Sequence, residues 1–375
     1  MKILQLGKFY PCHGGVEAVM LDLLKGLSKR NIDCDMLCTH ITPGEKASTF
    51  NINTRSHVFC AKSIMKKYAT MISPNMVFWL RQIANDYDII HIHHPDPMAA
   101  VALLLSNYKG KVVLHWHSDI IKQKKLLYLY KPIQNWLLRR ASIIVGTTPV
   151  YVEQSNSLKR VQDKCTYVPI GIMPMSWDAE SVNSIRDRFP GKHIVFSLGR
   201  LVHYKGFKYL IDAARFLPDN YVVLIGGTGP LKKELEEQIS EYKLSGKVQL
   251  LGRVSDKDLP NYYRAADIYC LSSIQKTEAF AIVQIEAMSC SRPVIATNIP
   301  GSGVQWVNAD GVSGINVPIC NSHALADAII KVISNPSLYK KLSSGAYERY
   351  SSLFTQDLMI EKCLKIYNKI LNSNT

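Results

Sequence analysis

The feature that most constrains this chain is a strand–helix alternation that starts twice. Met1–Gly15 reads as a buried strand, a glycine-containing loop and the opening of a helix, and Ile194–Ala214 repeats that order. Short apolar runs at Lys2–Leu6, Ile89–Ile92, Val112–Leu114, Ile143–Val145, Ile194–Leu198, Val222–Ile225, Val248–Leu250, Ile268–Leu271 and Val294–Ala296 read as strands. Helical periodicity fills Glu17–Arg30, Lys208–Arg215, Leu231–Tyr242, Ala279–Met288 and His323–Asn335. Such alternation specifies parallel sheets covered by helices. At 375 residues the chain exceeds one ordinary core. A Pro/Gly-punctuated stretch, Pro169-Ile170-Gly171-Ile172-Met173-Pro174, marks the joint. The expected fold is therefore α/β, with two doubly wound domains, 1–171 and 172–356, facing each other across a cleft at the carboxyl ends of their strands. The amphipathic tail Gln356–Leu371 could pack on either one.

Charge and cysteine usage narrow the setting. The formal net charge is +15, and residues 1–180 carry 22 Lys and Arg against 13 Asp and Glu. No acid falls between Lys46 and Asn85, or between Ile120 and Val152. A basic first half favours anionic partners. The nine cysteines are scattered, with no CxxC pair, as in a cytosolic protein without a disulfide scaffold. No secretory signal is visible, and the longest apolar run, Met98–Leu105, is short of the ~20 residues of a membrane span. Nucleic acid is not expected as a partner, because no recognition module or aromatic RNA-binding signature is present.

The strongest chemical signal is Glu278-Ala-Phe-Ala-Ile-Val-Gln-Ile-Glu286, two acids eight positions apart around an apolar run. It follows a strand and a polar loop, so Glu278 is expected where a helix opens. Free backbone amides from Ala279 to Ile282 would there form an anion site. A buried helix with one acid at its positive end fits the spacing as well. The second signal is Gly199-Arg200-Leu-Val-His-Tyr-Lys205-Gly206, whose two cations can converge on one diphosphate. The third is His13-Gly14-Gly15 ahead of a helix, which permits close backbone approach or simply makes a turn. Neither it nor Gly226-Gly-Thr-Gly229 is a GxGxxG fingerprint, which excludes a dinucleotide oxidoreductase.

Two histidine clusters, His91-Ile-His93-His94 and His115-Trp-His117, follow strands. Their spacing is that of strand ends, so a polar lining is expected and a zinc site is not. Asp33-Cys-Asp35, Asp86-Tyr-Asp88 and Asp256-Lys-Asp258 look like metal-binding DxD motifs but sit among ordinary element edges. No metal and no cofactor is expected.

On these residues the chain resembles glycosyltransferase family 4, of GT-B fold, along essentially its whole length. The Glu-x7-Glu pair matches Glu278 and Glu286, the G-R-x4-K-G loop matches Gly199 to Gly206, and the N-terminal Gly-Gly loop matches Gly14 and Gly15. The resemblance implies roles. Arg200 and Lys205 would hold a donor diphosphate, helped by the amide end at Phe280, Ala281, Ile282 and Val283. Glu278 would bind donor-sugar hydroxyls, Glu286 the ribose, and His117 the sugar from the opposite domain. Arg253 and Val254 would lie along the base, and residues 357–375 would cross back onto the first domain. Two departures put a side chain where the family has glycine: Ala281 after Phe280, and Ser291 in Cys290-Ser291-Arg292-Pro293.

The implied activity is retaining transfer of a hexose, with GDP-mannose as the donor of first choice. The expected acceptor is a lipid-diphosphate-linked glycan of surface polysaccharide, such as lipopolysaccharide or O antigen. The basic, aromatic-interleaved stretches Ile120–Arg140, where Pro132 should interrupt any single helix, and Cys60–Arg81 suit an anionic membrane surface. A peripheral place on the cytoplasmic face of the cell membrane follows. The rivals are a UDP-hexose transferase of the same fold, a GT-B sugar-nucleotide epimerase, and a non-catalytic basic binding protein.

Overall fold

The computed structural model describes residues 1–12, 14–67, 70–120 and 124–373, with backbone alone at 124–126. His13 of the glycine motif, Tyr68 and Ala69, and residues 121–123 of the basic stretch lie outside the described residues. Two compact units emerge: Met1–Gly171 with Gln356–Thr375, and Ile172–Thr355.

The first domain carries strands β1 (Lys2–Tyr10), β2 (Asp33–His40), β3 (Ser48–Asn53), β4 (Ser56–Ala61), β5 (Met65–Lys67), β6 (Thr70–Ile72), β7 (Ile89–His94), β8 (Lys111–Trp116), β9 (Ile143–Gly146) and β10 (Cys165–Tyr167). Its main sheet has the order β10-β9-β8-β7-β1-β2-β4-β3, parallel throughout except for the edge strand β3. Helices α1 (Gly15–Ser28), α2 (Pro74–Ile83), α3 (Pro97–Ser106), α4 (Lys124–Arg140) and α5 (Pro149–Gln154) connect the strands. Burial on both faces explains why β1 and β7 read as continuous runs and not as alternating ones.

The second domain carries β11 (His193–Leu198), β12 (Tyr221–Gly226), β13 (Val248–Gly252), β14 (Ile268–Leu271), β15 (Val294–Asn298) and β16 (Gly314–Pro318). Their spatial order is β13-β12-β11-β14-β15-β16, all parallel. That is the 3-2-1-4-5-6 order of a Rossmann domain, with the switch point between β11 and β14. Its helices are α6 (Ala179–Asp187), α7 (Phe207–Ala213), α8 (Lys232–Glu241), α9 (Leu259–Ala265), α10 (Ile282–Ser289), α11 (Val304–Val307), α12 (Ser322–Ile333) and α13 (Pro336–Leu353). The last helix, α14 (Gln356–Asn372), belongs to the first domain. It buries Met359, Ile360, Cys363, Tyr367 and Ile370, and Gly26 of α1 admits it: a Cβ there would lie 1.9 Å from Ile360 Cδ1.

The expected break at Pro132 does not occur. Helix α4 runs unbroken from Lys124 to Arg140 with Pro132 inside it. Proline forfeits one backbone hydrogen bond, which costs about 3 kcal/mol in a helix interior. Tyr130, Gln134, Leu137 and Leu138, spaced at helical intervals, are buried on the same helix, and their burial outweighs that loss.

Candidate functional site

The second domain places its signals where a Rossmann sheet binds ligands, at the carboxyl ends of the central strands. The loop after β11 is pinned by backbone bonds from Gly199 N–H to Gly226 O (3.0 Å) and from Leu201 N–H to Thr228 O (2.9 Å). Gly227 sits at φ 135°, and a Cβ there would stand 1.9 Å from Gly199 O. The Gly-Gly-Thr-Gly stretch, which matched no fingerprint, is therefore the mould of the cationic loop. Gly206 (φ 64°) then turns the chain into α7 against Ser272 O.

Lys205 is brought onto Glu278. Its Nζ lies 2.6 Å from Glu278 Oε2, with both side chains about one-tenth exposed. Ser273 Oγ donates to the same oxygen at 2.8 Å, and Ser302 Oγ donates to Glu278 O. Burial opposes the Lys205 charge, but Glu278 and Tyr204 outweigh it and hold the ammonium above the usual lysine range. Arg200, on the same loop, is exposed, with its guanidinium 3.5 Å from Tyr204 Oη. A buried cation and an exposed one thus share one loop.

The helix expected to open at Ala279 opens later. Helix α10 begins at Ile282, and Gln284 N–H already bonds Ala281 O at 3.0 Å. Glu278 thus sits on the preceding loop. The amides that precede the helical ladder are those of Ile282 and Val283; Phe280 and Ala281 are loop residues buried beneath them. The cause is Ala281, in the left-handed region at φ 63°. Ser291 is likewise left-handed, at φ 58°, where the chain leaves α10. Both departures from glycine therefore fall where glycine is favoured, and each L-residue stores about 1 kcal/mol of strain. Ala281→Gly is expected to raise stability by about 1 kcal/mol, less the added entropy of the unfolded chain, as read by urea unfolding.

Glu286, on α10, accepts a hydrogen bond at Oε2 from Tyr263 Oη at 2.6 Å. Burial raises its pKa, and the tyrosine bond partly counters that. Arg253 is exposed and Val254 half-buried just past β13, with Val254 Cγ2 3.0 Å from where a Gly226 Cβ would stand.

In the first domain Gly14 caps α1 and Gly15 begins it. His117 follows β8, buried, its Nε2 2.9 Å from His93 Nδ1. His93 Nε2 in turn meets Gln5 Oε1 at 2.7 Å, and His91 Nδ1 meets Tyr367 Oη at 2.6 Å. His91, His93 and His115 bring ring nitrogens within 4.8 Å of one another. Their rings stack nearly parallel at 4.6–5.3 Å, however, so their in-plane lone pairs do not converge on one point. Burial holds His91, His93, His94, His115 and His117 neutral, with His94 and His115 lowered to about 3. Among the DxD acids, Asp35 is bonded by His57 and Tyr87, Asp33 by Arg55, and Asp88 by Lys2 N–H. These partners sit at the amino ends of the strands, opposite His117.

The two sheets and the loop mould define a GT-B glycosyltransferase. The model of Glycosyltransferase Family 4 matches residues 13–174, and that of Glycosyl transferases group 1 matches residues 181–349. The O-antigen chain mannosyltransferase C of Escherichia coli is 31% identical over 382 residues, covering all of both chains. Sucrose-phosphate synthase of Thermosynechococcus elongatus superposes with a TM-score of 0.84 at 19% identity, and Anabaena HepE in complex with UDP-glucose with 0.78 at 20%, each covering all of both chains. The chain belongs to glycosyltransferase family 4, among the bacterial polysaccharide glycosyltransferases.

Sequence reasoning did not find Ser273, Ser302, Tyr263 or Gly227. Three are ordinary polar side chains whose roles arise only from contacts. Gly227 carried a signal in its glycine cluster, but it serves the close approach of Gly199 O and not a dinucleotide.

Proposed function

We propose that this enzyme is a retaining, metal-independent hexosyltransferase, moving mannose from GDP-mannose to a lipid-diphosphate-linked glycan in surface polysaccharide synthesis. The observation that carries this reading is the buried Lys205–Glu278 pair at the switch point, beside exposed Arg200 and the amide end of α10. As the bond from the anomeric carbon to the diphosphate oxygen breaks, negative charge grows on the leaving group. Fixed cations and amide donors stabilise that charge as it develops. Glu278, held by Ser273, would orient sugar hydroxyls. The acceptor oxygen bonds the anomeric carbon on the face that the diphosphate leaves, and its proton passes to the departing phosphate oxygen. His117 would contact the sugar and Glu286 the ribose.

The mannosyltransferase name of the Escherichia coli relative supports the donor sugar and the polysaccharide setting. The UDP-glucose bound by the Anabaena neighbour supports a nucleotide-sugar donor and keeps a UDP-hexose as the second reading. The test is incubation with GDP-mannose or UDP-hexoses in EDTA, with a lipid-diphosphate-linked glycan acceptor. Nucleotide release coupled to a mannosylated, configuration-retaining product supports the proposal. Conversion of the donor sugar without nucleotide release would make the enzyme an epimerase, and a trapped glycosyl-enzyme would overturn the same-face mechanism.

The acceptor places the enzyme at a membrane. Among the described residues no helix is long and apolar enough to cross one. The first domain instead exposes Ile64 and Met65 at the β5–β6 hairpin and Tyr128 and Leu129 on α4, beside exposed Lys66, Lys67 and Lys131. Helix α3 adjoins both β6 and α4. Exposed apolar side chains flanked by lysines suit an anionic leaflet, each cation contributing about 1 kcal/mol. Sedimentation with phosphatidylglycerol vesicles at low salt should carry the protein down. Tyr128→Ser with Leu129→Ser should leave it in solution, and failure of the wild type to sediment would refute the membrane reading.

A further inference from the structure

We infer that Tyr263 is a positioning residue for nucleotide recognition, acting through Glu286; the inference rests on the reading of Glu286 as the ribose-binding carboxylate. Glu286 is half-buried on α10, one turn past its amide end. Its Oε2 is taken by Tyr263 Oη at 2.6 Å, and no described residue bonds its Oε1. A carboxylate with one oxygen anchored and one open offers a single, directed acceptor. A carboxylate held by nothing would sample its rotamers and present neither oxygen in a fixed place.

Tyr263 is built for anchoring. It lies on α9 and is fully buried. Phe196 packs edge-on against its ring at 5.2 Å, and Tyr269 stands tilted at 5.6 Å. Those neighbours belong to β11 and β14, the two strands at the switch point. The rigid sheet thereby fixes the phenol, and the phenol fixes the carboxylate. Burial and the adjacent Glu286 raise the phenol's pKa well above its ordinary value, so it remains a donor at every working pH. The ligand feature that an open, fixed carboxylate oxygen recognises is a vicinal diol, which can give it one or two O–H donors. The 2′- and 3′-hydroxyls of a nucleoside diphosphate are such a diol.

The test compares GDP and UDP with their 2′,3′-dideoxy analogues by isothermal titration, using the full chain as wild type, Glu286→Gln and Tyr263→Phe. Wild type should bind a ribonucleotide at least tenfold more tightly than its dideoxy analogue. Glu286→Gln should erase most of that preference. Tyr263→Phe should weaken the ribonucleotide about fivefold while leaving the dideoxy analogue within twofold. In turnover, Tyr263→Phe should raise KM for the donor more than it lowers kcat. An equal loss on both nucleotides would make Tyr263 a core residue only and overturn the inference, as would no loss on either. If Glu286→Gln retains the wild-type ribose preference, the underlying reading of Glu286 is wrong and the inference falls with it.

Discussion

Lys205→Ala is expected to lower transfer by about two to three orders of magnitude, the cost of deleting one fixed donor to developing charge. It should also unfold more easily. Lys205 and Glu278 are both nearly buried and 2.6 Å apart. Removing one partner strands the other's charge, at a cost of about 3–5 kcal/mol for a buried pair. Loss of activity could then reflect loss of fold, and a second variant separates the two. Lys205→Met with Glu278→Gln removes both charges and leaves Ser273 a partner in the amide oxygen. It should recover most of the lost stability in urea unfolding, because matched neutral replacements avoid the unpaired charge. It should recover none of the activity. If the double variant transfers sugar at near wild-type rate, the pair is structural and the cationic site lies elsewhere.

Acidification from pH 7 to pH 5 is expected to destabilise the first domain severely. Its folded state holds His91, His93, His94, His115 and His117 neutral, each pushed down by burial first and then, in His91, His93 and His117, by neighbouring imidazoles. In the unfolded chain each protonates near 6.5. Below that value the unfolded state binds more protons, so stability falls as pH falls. The loss continues to the folded pKa, which is about 3 for His94 and His115. His94 and His115 then each cost about 1.4 kcal/mol per pH unit, or about 2 kcal/mol at pH 5. His94 and His115 together reach about 4 kcal/mol, a large share of the stability of a typical domain, and His91, His93 and His117 act in the same direction. Amide exchange of β7 and β8 peptides at pH 7, 6 and 5 reads this domain by itself. Protection should collapse over that range, and His115→Leu, which removes two nitrogens that have no hydrogen-bond partner, should make the collapse shallower by about one proton. Unchanged protection at pH 5 would mean that the stack is protonated or solvated in the folded state.

Much of the fold was legible because parallel strands buried on both faces are near-continuous apolar runs. All nine runs named from sequence form strands. What escaped were strands β2, β3, β4, β5, β6, β10 and β16, which are short, at edges or, as in β2 with Asp33, Asp35, Thr39 and His40, interrupted by polar residues, where side-chain pattern carries little burial signal. Pro132 misled because local propensity yielded to the buried stripe from Tyr130 to Leu138. The spacing of Glu278 and Glu286 fits a helix that opens at Glu278, but a left-handed Ala281 breaks the period and puts Glu278 on a loop. The site was legible as residue types and not as partners. Nothing in the spacing of Lys205 and Glu278, 73 positions apart, says that they touch. Nor does Tyr263 announce that it holds Glu286. Contacts made by loops from different strands depend on the sheet order, which the sequence encodes only through the whole fold.

The measurement that bears most directly on the central claim is a thermal-shift titration with GDP and UDP in EDTA, on wild type and Lys205→Ala. A ligand at about 100 times its dissociation constant should stabilise the native state by about 2.7 kcal/mol. The account predicts a shift with one of the two nucleotides, without metal, that is lost in the variant; the nucleotide that gives it names the donor class. No shift with either, a shift that survives in Lys205→Ala, or one that appears only on adding a divalent cation would contradict a metal-free diphosphate site built on Lys205.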